Sequence, residues 1–429
     1  MLYFFKVILF FFLLLPKIAL NKQTGLMLGE LLLFAGSASI LALSGGRLKF
    51  KPLILILLAF FTWFLPLSSL LNGLIYGMAP LSPMVYYIKI LNYFFLFFIA
   101  YKCYEQLGFH KSLKLFISAF IIHYIIAMGI VIAFYITHKP SIGDIMWNYE
   151  TGIRAIPIAG LAIDPSSFAG LTPIGGGSSN LFVSWALAFA VLLAVIPTKI
   201  KYKNLFLFLC FLVPFAGMSR GGMLSFFIFL LYLIFLSKGI SLKGKTYFFV
   251  SVVLIIFLLS VIISNTDIAI PNVFERLTQT FDSNDNKGGI DPSSMGRFEN
   301  YKLLFQAWSS DPLSVIFGLG MDENLMKFRT GWGLVESFFL QVLFCGGLFG
   351  VALLGLFYSL LYMNRNLNVW FKALWIFVLI ESIFMWSVTG GDFYSPHVMF
   401  VIMVFLGFGY ADLDKIKGNL SKYESITVN

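Results

Sequence analysis

Residues 334–361 read LVESFFLQVLFCGGLFGVALLGLFYSLL, a run in which Glu336 is the sole charge. A helix crosses the hydrocarbon core of a bilayer with about 20 mostly apolar residues, so this stretch is long enough to span with some tilt. The rest of the chain has the same character. Its 429 residues are 59% hydrophobic and only 12% charged, whereas a soluble domain carries about 25% charged residues. So few charges cannot cover the surface of a soluble globule. The composition excludes a cytosolic enzyme and a disordered chain. Cys103, Cys210 and Cys345 lie in or beside apolar runs, so no disulfide framework is implied. The expected fold is an all-α polytopic membrane protein.

Working outward, twelve stretches meet the length rule: 3–20, 25–45, 52–75, 84–101, 113–136, 179–197, 204–218, 221–237, 246–264, 334–361, 371–390 and 396–411. The first reads as a retained helix, not a cleaved signal. Lysine and arginine set the orientation. They cluster at Arg47, Lys49 and Lys51; at Lys102, Lys111 and Lys114; at Lys199, Lys201 and Lys203; at Lys238, Lys243 and Lys245; and at Arg365 and Lys372. The tail adds Lys415, Lys417 and Lys422. These are alternate, short connections, which with about twelve transmembrane helices predicts that both termini are cytoplasmic. The net charge of +10 is thereby explained by topology, and no nucleic acid partner is expected.

On the opposite, external face two connections are long, 138–178 and 266–332. Long structureless loops are uncommon unless functional. The first ends in GLTPIGGGSS at Gly170 to Ser179, suited to a lid; in the second, Val273–Phe281 and Phe298–Trp308 have apolar residues at helical spacing and predict short amphipathic helices. These loops carry single arginines, Arg154, Arg276, Arg297 and Arg329, and Arg220 occupies the tight connection Ser219-Arg220-Gly221-Gly222. Glu336 opens the tenth span, where the helix macrodipole alone is reason enough for an acid. It is followed by Ser337, nine residues, Gly347, two residues and Gly350, glycines expected to let helices pack closely.

This pattern resembles the His-(small or polar)-x9-Gly-x-x-Gly element of bacterial O-antigen ligases and Wzy-type O-antigen polymerases. Ser219-Arg220-Gly221-Gly222 is similar to the Ser-Arg-Gly turn of that superfamily, and Pro292-Ser293-Ser294-Met295-Gly296-Arg297, followed by Trp308, Pro312 and Gly318-Leu319-Gly320, is similar to its loop. Two departures stand out. The ligase histidine is Glu336, and the polymerase Arg-x10-Gly motif is unmatched, since Pro165 follows Arg154 and Trp308 follows Arg297 at that distance.

The resemblance implies glycosyl transfer between polyprenyl-diphosphate-linked oligosaccharides in contact with membrane lipid, with no cofactor, and a separate chain-length regulator as partner. Such chemistry needs cations on the leaving diphosphate and a base on the acceptor hydroxyl. Arg220 and Arg297 are the expected catalytic cations and Glu336 the expected base; Arg154, Arg276, Arg329, Lys302, His397 and Asp392 are candidate substrate-binding residues. No metal is expected: Asp282, Asp285 and Asp291 sit among Gly, Asn and Ser as turn residues do. A polymerase is the leading reading. A ligase shares the same site, and a flippase would be signalled by ionisable groups inside spans, of which Glu30, Lys89, His123 and Glu381 are present.

Overall fold

The computed structural model describes residues 1–13, 17–19, 25–137, 147–148, 153–154, 161–164, 168–171, 179–196, 200, 202–216, 220–235, 246, 250, 292–331, 337–383 and 393–427. The described residues are overwhelmingly helical. In chain order the helices are α1 (Leu2–Phe11), α2 (Leu28–Ser44), α3 (Pro52–Tyr76), α4 (Leu81–Thr137), α5 (Ser179–Val195), α6 (Lys203–Ala216), α7 (Arg220–Phe235), α8 (Pro292–Ser309), α9 (Pro312–Phe317), α10 (Glu323–Thr330), α11 (Phe338–Asn364), α12 (Val369–Ile383) and α13 (Pro396–Thr427). Three short antiparallel hairpins accompany them, β1 (Lys17–Ala19) with β2 (Gly25–Met27), β3 (Trp147–Asn148) with β4 (Ile153–Arg154), and β5 (Leu161–Asp164) with β6 (Phe168–Leu171).

Among the described residues, four helices are long and apolar enough to cross a membrane: Pro52–Tyr76, Leu81–Ile126, Phe338–Asn364 and Pro396–Lys417. Shorter apolar helices occupy Leu2–Phe11, Gly29–Ser44, Phe182–Val195, Lys203–Pro214 and Gly221–Phe235. The expected run 246–264 and the expected helix Val273–Phe281 lie outside the described residues, apart from the isolated positions 246 and 250.

The long α4 holds two of the expected spans. It breaks at Gly108, whose φ of 71° and ψ of 179° are not helical. Residues on both sides of the break meet the same part of α13: Phe97 packs on Tyr410, and Phe116 packs on Phe405 and Phe400. A straight helix would separate positions 97 and 116 by about 28 Å, so the chain folds back at Gly108 and its two limbs flank α13.

Those contacts make α13 the central pillar. Every residue from His397 to Ala411 is buried, as is α5 from Phe182 to Ala194. A helix apolar on all sides must be enclosed by others. Around the pillar, Leu55, Leu74, Ile88, Leu224, Phe227 and Leu356 stay exposed, a belt of apolar side chains that suits hydrocarbon and not water.

Polar groups inside this bundle hold helices together. Glu30 of α2 accepts a hydrogen bond from Tyr93 of α4 and lies 3.9 Å from the Lys89 ammonium. Ser37 donates to Asn92 (2.9 Å), and Asn92 donates to the Glu30 carbonyl (3.2 Å). Ser184 of α5 donates to Glu381 of α12 at 2.8 Å. Three of the ionisable residues expected inside spans are thus joined to neighbouring helices, as interhelical hydrogen bonds in membranes are.

One end of the bundle collects several lysine-bearing connections. Lys51, the N-cap of α3, meets Asp414 of α13 at 2.7 Å. Tyr101 and Tyr104 of α4 donate to Asp414 and Asp412. Asn368, just before α12, donates to the Gly409 carbonyl at 2.7 Å.

Candidate functional site

The best-ordered chemistry lies where α9 and α10 dock on α3 and α11. Pro66 inside α3 has no N–H and would clash with the carbonyl four residues back; the helix absorbs it as a π-turn over Trp63–Leu67. Opposite, α11 breaks at Gly347, with φ 66° and ψ −171°. Such a break strips carbonyls of their helical donors, and buried carbonyls without donors are costly. Each finds one. Leu319 N–H donates to Phe344 (2.7 Å), Gly320 N–H to Cys345 (3.1 Å), and the Trp63 indole to Gly346 (2.8 Å).

The sequence motifs Gly318-Leu319-Gly320 and Gly347-x-x-Gly350 are therefore two halves of one joint. A Cβ at Gly347 would lie 2.4 Å from the Gly318 nitrogen and the Ile316 oxygen, and one at Gly318 would lie 2.1 Å from the Cys345 oxygen. The expectation that these glycines pack helix on helix is corrected for Gly347, which bends α11 and admits a loop, because only glycine takes this φ without strain; at Gly350 a Cβ would lie 3.7 Å from Trp63 of α3. Trp63 is part of the joint, and Trp63→Phe is expected to lower stability by about 1–2 kcal/mol, the cost of a carbonyl left without its donor. The thermal midpoint in detergent measures it.

Short helices hold the rest of the module. Asp311 caps α9 through Leu313 N–H, and Asp322 caps α10 through Asn324 and Leu325 N–H. Arg329 of α10 donates to Asn72 Oδ1 at 2.9 Å and Ser314 Oγ at 3.1 Å, and its guanidinium lies 4.9 Å from the Tyr76 ring centre. Burial lowers its pKa from the ordinary value, opposed by Tyr76 and Asp311. On α8, Leu304 is buried and Trp308 packs 6.0 Å from Phe344 of α11. Position 297 lies on the same helical stripe as Leu304 and Trp308, seven and eleven residues before them. Lys302, expected to bind substrate, is on another stripe and exposed.

At its other end α11 starts at Phe338 with Ser337 as N-cap. Its start is thus two residues beyond Glu336, not at Glu336 as the sequence reading had it. Phe338 stacks on Phe393 at 4.4 Å, and both rings join Phe60 of α3. This aromatic cluster brings the start of α11 beside the entry to α13. Glu336 and Asp392 lie outside the described residues, each immediately before a described one, Ser337 and Phe393.

His397 is drawn inward instead of lining the external connection. It sits in the first turn of α13, 1% exposed, within electrostatic reach of His123, whose ring is packed by Phe182 and Trp185. Arg220 is the first residue of α7 and not part of a turn before it; α7 packs on α5, α6 and α12. Arg154 lies in β4 opposite Trp147. Arg276 is outside the described residues. Beside Trp63, an apolar groove of about 490 Å³ runs between α3 and α11, lined by Leu55, Leu58, Phe349 and Leu353 among others.

Comparison with known proteins bears on this same stretch. Residues 205–355 match a family model described as O-antigen ligase. The match is consistent with the O-antigen polymerase/ligase superfamily and with a multi-pass membrane glycosyltransferase-like protein. No curated protein matches the chain. The matched stretch runs from α6 into α11, so it contains Arg220, Arg297, Arg329, Glu336 and both halves of the glycine joint.

Asn72, Trp63, Ser314 and Ser69, whose Oγ accepts from Met321 N–H at 2.8 Å, are absent from the sequence-based candidates. A lone amide in the apolar run SSLLNGL, two residues past a proline turn, was the available signal for Asn72.

Proposed function

We propose that this protein is a polysaccharide polymerase that joins polyprenyl-diphosphate-linked oligosaccharide repeat units at the external face of the inner membrane. It would cross that membrane about twelve times as one integral domain, with both termini cytoplasmic and 138–178 and 266–332 as external loops. The carrying observation is that the matched stretch encloses the docked α8–α10 module, the arginine positions and the start of α11.

In this reading the acceptor sugar hydroxyl attacks the anomeric carbon of the growing chain. The bond from that carbon to the diphosphate breaks, polyprenyl diphosphate leaves with the electron pair, and the hydroxyl proton passes to Glu336. Arg220 and Arg297 meet the charge on the leaving oxygens, for which a planar, permanently charged guanidinium is suited. Arg220 at the start of α7 opposes the helix macrodipole, an arrangement that an anionic ligand relieves. Arg154, Arg276 and Asp392 are assigned to substrate binding around it. The groove beside Trp63 offers hydrocarbon-like walls to the carrier chain. A separate chain-length regulator is the proposed protein partner.

The second reading is a ligase that transfers finished glycan to a lipid core, which the description of the matched family favours. A deletion strain examined by polysaccharide gel separates them. Loss of the ladder with single-repeat products left in place is the expected result. Polymer stranded on carrier lipid identifies a ligase, and repeat units trapped on the cytoplasmic side identify a transporter.

A further inference from the structure

We infer that Arg329 is a positioning residue for glycosyl transfer, not a ligand of the diphosphate. The inference rests on the proposed reaction and assigns a part of it to a bracket of four side chains. Arg329 bridges α10 to two other elements with two different nitrogens, Nη1 to Asn72 of α3 at 2.9 Å and Nη2 to Ser314 of α9 at 3.1 Å. Neither acceptor is a loose surface group. Asn72 is 3% exposed and donates to the carbonyls of Ser68 and Gly318, each at 2.9 Å. Ser314 is 3% exposed and donates to Asp311, the N-cap of α9. The guanidinium face is covered by Tyr76.

The bracket therefore ties the module at Gly318, the residue that enters the break in α11, and at α10, which ends at Thr330 six residues before Glu336. α8, on which position 297 lies, packs against α9, α10 and α11. One arginine thus joins α3, α9 and α10 and, through Gly318, the bent α11, the elements that neighbour positions 297 and 336 in the chain. A guanidinium already shared between two acceptors and an aromatic face is not arranged to grip a phosphate.

Lysine distinguishes these roles. On phosphate it remains a serviceable point charge, but its single nitrogen cannot bridge two acceptors as the fork does. Full-length Arg329→Ala, Arg329→Lys, Asn72→Ala and the Asn72→Ala/Arg329→Ala double variant are to be assayed with lipid-linked repeat units extracted from the deletion strain, alongside thermal midpoints in detergent. Where Asn72→Ala does not accumulate, Ser314→Ala takes its place in the cycle.

The expected result is that both Arg329 variants lose about tenfold or more in kcat, as small misplacements do, with KM held within about twofold. The double variant should be no worse than the worse single one in kcat and in midpoint, since coupled residues are non-additive. Near-normal Arg329→Lys beside a raised KM in Arg329→Ala makes Arg329 a phosphate ligand and overturns the inference, as does additivity in the cycle. A wild-type protein that transfers nothing overturns the proposed reaction instead, while the midpoints still show whether the bracket exists.

Discussion

Gly318→Ala is expected to leave almost no folded protein in the membrane. The new methyl group would sit 2.1 Å from the Cys345 oxygen, 2.3 Å from its carbonyl carbon and 2.6 Å from the Gly346 nitrogen, all backbone atoms. None can rotate away. Moving them means withdrawing the loop from α11 and losing the bonds from Leu319 to Phe344 and from Gly320 to Cys345. Gly318 also has φ 84° and ψ 177°, a region essentially restricted to glycine that costs about 1–3 kcal/mol for other residues. Two backbone hydrogen bonds at about 1 kcal/mol each, plus the carbonyls they leave bare, bring the loss to roughly 4–6 kcal/mol, a large part of the whole stability of a typical domain. Gly347→Ala meets the same joint from the other side and should behave alike. Gly355, in the same helix with nothing within 4 Å of a Cβ, is the control: Gly355→Ala should be neutral or slightly stabilising. Yield after gel filtration and thermal midpoint in detergent report the comparison. Normal folding of Gly318→Ala would mean that the loop does not enter the α11 break.

The contrast between those glycines shows what a sequence can reveal here. The apolar runs of α3, α11 and α13 are legible because crossing hydrocarbon demands many consecutive apolar residues, and composition records that demand directly. The 102–114 region likewise signals a reversal through its lysines, and the chain does turn back at Gly108. A Gly-x-x-Gly spacing, by contrast, is the same string whether it packs helices or breaks one. Only the partner decides, and for Gly347 the partner is Gly318, some thirty residues earlier. Asn72 was illegible for the same reason: its value lies in Arg329 and Gly318, both far along the chain. The inward place of His397 was not legible either: Pro396 starts a helix, a place proline fits, and carries the histidine inward. Pairing across the fold is set by tertiary packing, which one-dimensional periodicity does not encode.

Glu336→Gln should abolish polymer formation while the protein is made and inserted normally. The substitution keeps the shape of the side chain and removes its capacity to take a proton, so a base role predicts a fall in kcat of about 10²–10⁴-fold with little change in KM. Stability should hold, because the start of α11 is anchored two residues on by Phe338 against Phe60, Phe64 and Phe393. Glu323→Gln is the matched control: it also loses an acid near the start of a helix of this module, but its partner is an exposed Lys327 at 2.6 Å, and such pairs contribute little. Glu336→His tests the role more sharply, since it restores the residue type of the resembling ligases. An imidazole protonates near pH 6.5 where a carboxyl does so near pH 4.3 in water. A base must be deprotonated to act, so the acidic limb of the rate profile should move up by about two pH units in the histidine variant. If transfer by Glu336→Gln equals wild type, proton removal belongs to another group, and the segment that joins α10 to α11 has no part in the chemistry.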